Sequence, residues 1–136
     1  MLDHVGIPVS NFKRSLAFYM KVLEPLGYGL ILEVSSEETG GRNHAGFGAG
    51  DRPQFWIGSG TPLKGGVHFA FEAKSREAVR TFYDAAMQAG GRDNGAPGLR
   101  PHYHENYYGA FVLDPDGHNI EAVCQAPGQF GDQLKS

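Results

Sequence analysis

The sequence lacks several features that mark membrane, secreted and nucleic-acid-binding proteins. It has one cysteine, Cys124, so the chain cannot form an internal disulfide, and a reducing cytoplasm is the expected location. No apolar run approaches the roughly 20 residues of a membrane-spanning helix. The first residues do not form the basic start and apolar stretch of a signal peptide. The net charge of -3, with both signs mixed along the chain, argues against a nucleic-acid partner.

Length and composition point to one globular domain. The chain has 136 residues, of which 40% are hydrophobic, and this is enough for one hydrophobic core. Its 20 glycines cluster between periodic segments, which indicates short strands joined by tight turns. We expect a single domain over residues 1–127 and a C-terminal tail over residues 128–136, where no periodic pattern continues.

An internal repeat divides this domain in two. The segment that begins at His4 matches the segment that begins at His68, 64 positions later, and both read as strands. Two further matches hold at the same offset: Phe18-Tyr19 falls on Phe82-Tyr83, and Gly27 falls on Gly91. We therefore predict two modules, at about residues 1–64 and 65–127.

Each module is predicted to contain a strand, a helix and three further strands. Asn11 and Ser75 stand where helix N-caps belong, and apolar residues follow both at helical spacing. The turn sequence from Asp114 to Gly117 predicts a hairpin between the last two strands. The expected fold class is α+β, with two βαβββ modules whose mixed sheets form a cup and whose helices cover the outer face. The main strands predicted after the helices are 29–34, 45–48, 54–57, 107–113 and 118–124.

Two polar, glycine-rich segments do not fit this pattern. Residues 35–44 are predicted to form a mobile loop. Residues 92–106 are too rich in glycine and proline for a helix and contain only a weak strand candidate at 98–103. We interpret them as a long binding loop or lid.

Strand alternation places three metal-ligand side chains on one face. Successive side chains in a strand point to opposite faces of the sheet. His4, His68 and Glu121 are therefore expected on the face opposite the hydrophobic residues that pack against the helices. Two imidazoles and a carboxylate suit a divalent ion of Fe, Mn, Ni, Co or Zn. A lone histidine or glutamate on a strand is more often a structural or solvated residue. The repeat equivalence of the two histidines and the position of Glu121 within an apolar run favour a metal site.

The sequence resembles the vicinal oxygen chelate superfamily, which contains glyoxalases, bleomycin-resistance proteins and extradiol dioxygenases. The resemblance covers residues 2–126 and rests on His4, on Ser15 to Tyr19 with Leu26-Gly27, and on the block from Phe111 to Glu121. It implies paired βαβββ modules around a metal held by His4, His68 and Glu121, and a substrate that chelates the metal through oxygen atoms. In members of this length two chains commonly form a homodimer, which would bring His4 of one chain to His68 and Glu121 of the other.

Departures from these relatives leave the reaction open. Glyoxalase I enzymes have a glutamate where this chain has Trp56, so we expect three protein ligands, with Gln54 or water as a fourth. Pro8 replaces an arginine that helps to hold glutathione in glyoxalase I enzymes of this size. Fosfomycin-modifying thiol transferases match in length, but Gly6 and Val112 replace their active-site threonine and tyrosine. Extradiol dioxygenases usually have a second pair of modules. A lyase, a dioxygenase and a thiol transferase all remain candidates.

Several other residues are candidates for contact with a substrate. Tyr108 is expected in the cup if Ala110 pairs with Glu121, and a one-residue bulge would bring Tyr107 there instead; the tyrosine would donate a hydrogen bond to a substrate oxygen. The alternative is that these tyrosines are core and surface residues. The remaining candidates are Trp56 and Gln54 in the cup, and Arg100, His102 and His104 on the lid, where Arg100 would bind an anionic group.

The expected function is a metal-dependent enzyme that holds a small oxygen-rich substrate on a divalent ion, with Tyr108 and Glu121 as its catalytic residues. The first alternative is a non-catalytic protein that binds small molecules or drugs, as bleomycin-resistance proteins do. The second is a structural or regulatory dimer whose histidines bind no metal. Metal content separates the enzyme from both alternatives.

Overall fold

Two four-stranded sheets, one from each half of the chain, organise the structure. The computed structural model describes residues 1–128, apart from the side chain of Thr39. The first half contains β1 (Val5–Val9), α1 (Phe12–Leu23), a 3-10 turn (Glu24–Leu26), β2 (Gly29–Val34), α2 (Ser36–Thr39), β3 (His44–Gly48) and β4 (Phe55–Ser59). The second half contains β5 (His68–Glu72), α3 (Arg76–Gln88), β6 (Arg92–Leu99), β7 (Tyr108–Leu113) and β8 (Asn119–Cys124).

The two sheets have the same topology. Their strand orders are β1-β4-β3-β2 and β5-β8-β7-β6, and the first pair in each sheet is parallel while the others are antiparallel. In the parallel pairs Gly6 lies opposite Trp56 and Ala70 lies opposite Glu121, so Trp56 and Glu121 occupy equivalent positions. The predicted fold class, α+β with two βαβββ modules, is confirmed.

Side-chain caps begin the two long helices where the sequence predicts them. The Asn11 side chain accepts a hydrogen bond from the amide of Arg14 at 3.1 Å, and Ser75 accepts one from the amide of Ala78 at 3.0 Å. Each bond satisfies an amide that the first helical turn leaves without a partner. Gly27 follows the 3-10 turn with a φ of 86°, a conformation that favours glycine, and the chain then enters β2.

The hydrophobic core lies between the sheets and the helices. Ile7, Val9 and Ile57 of the first sheet and Val112 and Ile120 of the second are all buried. Aromatic side chains join the two modules, because the Phe55 ring lies 5.8 Å from that of Phe69 and 5.1 Å from that of Phe71. Since these strand residues face the core, their neighbours in sequence face away from it. We call the face of each sheet that is turned away from α1 and α3 the open face.

A buried carboxylate fixes the turn between β7 and β8. Asp114 accepts hydrogen bonds from the amides of Asp116 and His118 at 2.9 Å, from the Tyr19 hydroxyl at 2.6 Å and from His118 Nδ1 at 2.9 Å. His118 Nε2 in turn accepts a bond from the amide of Leu63 at 3.3 Å, which leaves Nδ1 as the nitrogen that donates to Asp114. The network connects the final hairpin to α1 and to the segment between the modules.

Two segments differ from the prediction of loops. Residues 35–44 contain α2, and residues 92–106 begin with β6 rather than a lid. The weak strand candidate at 98–103 overlaps β6 only at residues 98–99. Most of the strand was missed because glycine and proline are poor strand formers, yet β6 is an edge strand, where proline removes no essential hydrogen bond. Its pairing with β7 is irregular on both sides of Gly95. The predicted tail falls almost wholly on residues 129–136, outside the described residues. Within residues 1–128, no helix is long and apolar enough to cross a membrane.

We expect Tyr19→Phe to lower the free energy of unfolding by about 1–3 kcal/mol, because the buried Asp114 carboxylate loses a hydrogen-bond donor. Urea denaturation followed by circular dichroism measures the change. The control is Tyr103→Phe, which removes the hydroxyl of a tyrosine that is 60% exposed, and its stability should match that of the wild type. Equal stability of all three proteins would contradict this role of the Asp114 network.

Candidate metal centre

A histidine and a glutamate meet on the open face of the second sheet. His68 begins β5 and Glu121 lies in the middle of β8, the neighbouring parallel strand. His68 Nε2 is 2.8 Å from Glu121 Oε1. The Glu121 side chain is 1% exposed and that of His68 is 47% exposed, so the carboxylate is enclosed while the imidazole borders solvent. This pair brings together two of the three predicted metal ligands.

Tyr107 is the second partner of the Glu121 carboxylate. Its hydroxyl donates a hydrogen bond to Glu121 Oε2. Burial, followed by this hydrogen bond and the negative charge of Glu121, raises the pKa of Tyr107, so the hydroxyl keeps its proton and remains a donor. Gly109 leaves room for the pair, since a Cβ at that position would lie 3.2 Å both from Glu121 Oε2 and from the Tyr107 ring.

The prediction that Tyr108 lies in the cup is wrong. In the observed hairpin Ala110 pairs with Ala122 and Phe111 pairs with Glu121, which is one residue away from the predicted register. Because side chains alternate along a strand, this register turns Tyr108 towards α3. Tyr108 is fully buried and accepts a hydrogen bond from Arg80 at 3.2 Å. Tyr107 takes the place that was assigned to Tyr108 as a hydroxyl donor beside Glu121.

His4 lies on the other module, apart from His68 and Glu121. It immediately precedes β1, and its side chain is 61% exposed. Its Nδ1 is 2.8 Å from Asp3 Oδ1, and this hydrogen bond, with a second from Arg52, lowers the pKa of Asp3. The contact leaves Nε2 of His4 available. Within residues 1–128, no three His, Cys, Asp or Glu side chains gather closely enough to hold a metal ion.

Trp56 and Gln54 lie on β4 or beside it, near His4. Trp56 is half-buried on the open face of the first sheet, and its indole would be 3.0 Å from a Cβ at Gly46. Gln54 is exposed and precedes β4, where its carbonyl accepts a bond from the amide of Val5. The depression on this face has a volume of about 240 Å³, and its polar lining includes His44 and Arg42, which the sequence analysis did not single out.

The three predicted lid residues have different surroundings. The backbone amide of Arg100 bonds to the carbonyl of Tyr107 at 2.7 Å, so Arg100 continues the pairing of β6 with β7 on the open face. The His102 ring packs at a tilt against the Tyr103 ring, with 4.1 Å between their centres, and His104 Nδ1 accepts a bond from the amide of Asn106 at 3.2 Å. Arg100 and His104 both contact the backbone of Tyr107, since the His104 carbonyl accepts a hydrogen bond from the Tyr107 amide at 3.1 Å.

A model of the Glyoxalase/Bleomycin resistance protein/Dioxygenase superfamily matches residues 1–122. The chain belongs to this superfamily. No curated protein matched the sequence.

Solved structures of this superfamily share the fold. A glyoxalase/bleomycin resistance protein from Albidiferax ferrireducens T118 is 28% identical, with 90% of this chain and 97% of that chain aligned and a TM-score of 0.67. A glyoxalase I mutant from Zea mays is 23% identical, with a TM-score of 0.69, and aligns 98% of this chain with 48% of its own. A mutant of the fosfomycin resistance protein FosX from Listeria monocytogenes, in complex with Mn(II) and 1S,2S-dihydroxypropylphosphonic acid, is 18% identical. It aligns 99% of this chain with 95% of its own, with a TM-score of 0.66.

Two residues of this superfamily member were missed or left undecided by sequence reasoning. Tyr107 was only the alternative to Tyr108, because the hairpin register depends on the geometry of the turn at Asp114. Asp3 was overlooked, although an acidic residue next to a candidate ligand is a usable signal, since a carboxylate often orients a ligating imidazole.

We expect ultraviolet titration to show Tyr107 ionising above the ordinary range of a tyrosine, because its pKa is raised. The difference between wild type and Tyr107→Phe isolates this phenolate. In Glu121→Gln the pKa of Tyr107 should fall towards its ordinary value, since a neutral side chain replaces the charged acceptor. Because its pKa is raised on folding, Tyr107 also contributes to the free energy of unfolding. This contribution is complete below the pKa of Tyr107 in the unfolded chain, and it is lost as the pH rises through its pKa in the folded protein. An unchanged Tyr107 titration in Glu121→Gln would contradict this account.

Proposed function

We propose that the protein is a metal-dependent enzyme that acts on a small oxygen-rich substrate chelated to a divalent ion. The observation that carries the proposal is the contact of the buried Glu121 carboxylate with the half-exposed imidazole of His68. Superfamily membership supports the same reading, and the FosX relative was solved with Mn(II) and a dihydroxy compound. The reaction type, whether lyase, dioxygenase or thiol transferase, is left open by the residues around this pair.

The residues present fit a divalent metal ion. Burying a carboxylate is costly unless it has strong donors or a cation as a partner. Glu121 has one hydroxyl donor and one imidazole, and the imidazole borders solvent, from which a metal ion would enter. Nitrogen and carboxylate oxygen ligands suit Fe, Mn, Co, Ni and Zn, and the donor set does not choose between them.

The third ligand would come from a second copy of the chain. A single chain provides His68 and Glu121 on one module and His4 on the other, and Asp3 holds the His4 imidazole with Nε2 free. β1 and β5 are edge strands that each pair with one neighbour in the described structure. In a two-fold symmetric homodimer, β1 of one copy would approach β5 of the other and bring His4 to the pair. Two equivalent sites would result.

The chain supplies the surroundings of a chelated substrate. A bound divalent ion acts as a Lewis acid that polarises oxygen atoms and stabilises negative charge. Tyr107 keeps its proton and donates a hydrogen bond towards Glu121, which holds the carboxylate in one orientation. Trp56, at the position equivalent to Glu121, provides no ligand and would form an aromatic wall, while Gln54 or water would complete the coordination.

We expect the purified wild-type protein, prepared without an affinity tag or added metal, to contain near-stoichiometric metal by elemental analysis. His68→Ala should lose most of it, because a buried carboxylate without the imidazole is a poor chelator. His104→Ala is the matched control, since His104 lies in the turn after β6 and contacts Asn106. No metal in the wild type, with no uptake of offered Fe(II), Mn(II), Ni(II) or Zn(II), would favour the non-catalytic binding protein instead.

A mixing experiment tests whether the site is shared between chains. His4→Ala and Glu121→Ala should each fail to retain metal alone. After subunit exchange, half of the dimers are mixed and one of their two sites is complete, so about a quarter of the wild-type metal should return. Mixed dimers that form, as shown by mass spectrometry, and still bind no metal would contradict a shared site.

A further inference from the structure

The Arg100 side chain lies on the open face, over a group of glycines. The residues of β6 and β7 next to it on this face include Gly95, Gly98 and Gly109. A Cβ at Gly95 would be 3.3 Å from Nη2 of Arg100, and one at Gly98 would be 3.2 Å from Nη1. The guanidinium group therefore packs closely against these glycines, and a Cβ at either position would crowd it.

Backbone carbonyls fix the guanidinium group without neutralising it. Nη1 donates to the carbonyl of Gly98 at 2.8 Å, and Nη2 donates to the carbonyl of Ala96 at 2.7 Å. A guanidinium group has five N–H donors, so three remain for other acceptors. Among the described residues, no carboxylate forms an ion pair with Arg100. The arginine is held in place with its charge uncompensated.

Phe111 lies between this charge and the candidate metal centre. The Arg100 guanidinium is 5.5 Å from the centre of the Phe111 ring, and the His68 ring is 5.9 Å from it. Phe111 pairs with Glu121 across β7 and β8, and its side chain is half-buried. Two strand spacings, about 10 Å, separate the strand of Glu121 from that of Arg100. The open face thus presents a metal-ligand pair, an apolar ring and a fixed cation in a row.

We propose that Arg100 binds an anionic group, a carboxylate or a phosphoryl group, at the end of the substrate remote from the metal. The substrate class is then a molecule with chelating oxygens at one end, an apolar middle that lies on Phe111 and an anion roughly two strand spacings away. The chelating end rests on the proposed function, whereas the anion-binding end rests on Arg100 alone. A planar, forked donor set suits carboxylate and phosphoryl oxygens.

Two probes that differ only in charge test this assignment. 3-(3,4-Dihydroxyphenyl)propanoate has vicinal oxygens and a carboxylate on a short apolar linker, and 4-propylcatechol lacks the carboxylate. Isothermal titration calorimetry on the Zn(II)-loaded protein should give a Kd at least about tenfold lower for the carboxylate probe, the size expected of a hydrogen-bonded ion pair. Arg100→Gln should remove this preference and leave the Kd of 4-propylcatechol unchanged.

Matched variants separate the role of Arg100 from a general effect of charge. Arg92→Gln removes the same charge at the other end of β6 and should keep the preference. Arg100→Lys keeps the positive charge but loses the planar, forked set of N–H donors. This variant should keep only part of the preference for the carboxylate probe. No preference in the wild type, or a preference that persists in Arg100→Gln, would overturn the proposal. So would an equal loss of affinity for both probes, which indicates a structural role.

A third probe distinguishes failure of this inference from failure of the proposed function. If the protein takes up no Zn(II), the metal-dependent function fails, and 3-phenylpropanoate then tests the anion site in the metal-free protein. Binding that Arg100→Gln abolishes would keep Arg100 as an anion-binding residue. Absence of such binding would overturn the anion site as well.

Discussion

The buried carboxylate of Glu121 determines how the strands of the second module must be arranged around it. At 1% exposure the group cannot rely on water, so protein donors must surround it. His68 and Tyr107 approach its two oxygens from the strands on either side, and Gly109 leaves the space in which they meet. A one-residue slip of the hairpin would put Tyr108 and Ala110 on this face, turn Tyr107 away from the carboxylate and remove the space that Gly109 leaves. The Asp114 turn, which fixes that register, is therefore part of the architecture of the site.

The repeated topology divides the candidate ligands between the two modules. Trp56 and Glu121 occupy equivalent positions, and so do the strand starts next to His4 and His68, yet only the second module has a carboxylate at this position, where Glu121 contacts His68. Under the proposed function this asymmetry has a thermodynamic consequence. Metal binding and association of two chains would stabilise each other, because each complete site would need groups from both copies. The Asp3–His4 contact would then prepare one half of the site in the free chain.

Glycine contributes space rather than flexibility on the open face of the second sheet. Gly109 makes room for the Glu121 carboxylate, and Gly95 and Gly98 make room for the Arg100 guanidinium. Both charged groups lie against glycine backbone, where Glu121 is held by the side chains of His68 and Tyr107 and Arg100 by the carbonyls of Ala96 and Gly98. Gly95 and Gly98 also made β6 look like a loop, because a segment poor in strand formers gives no periodic signal. The edge position of the strand and its irregular register explain how it forms nevertheless.

The sequence by itself determined the two-module fold and the N-caps at Asn11 and Ser75, because periodicity, capping and repeats can be read from the chain alone. It also indicated the residue types of a candidate metal site. The contact of His68 with Glu121 was also within its reach, since equivalent positions in a repeat imply equivalent strands. The tertiary structure alone decided that Tyr107 rather than Tyr108 meets the carboxylate, since hairpin register depends on turn geometry and packing. It also decided that His4 lies apart from the other two candidate ligands within one chain. The relative placement of two packed modules is set by long-range contacts such as Phe55 with Phe71, and no local pattern in the sequence encodes those distances.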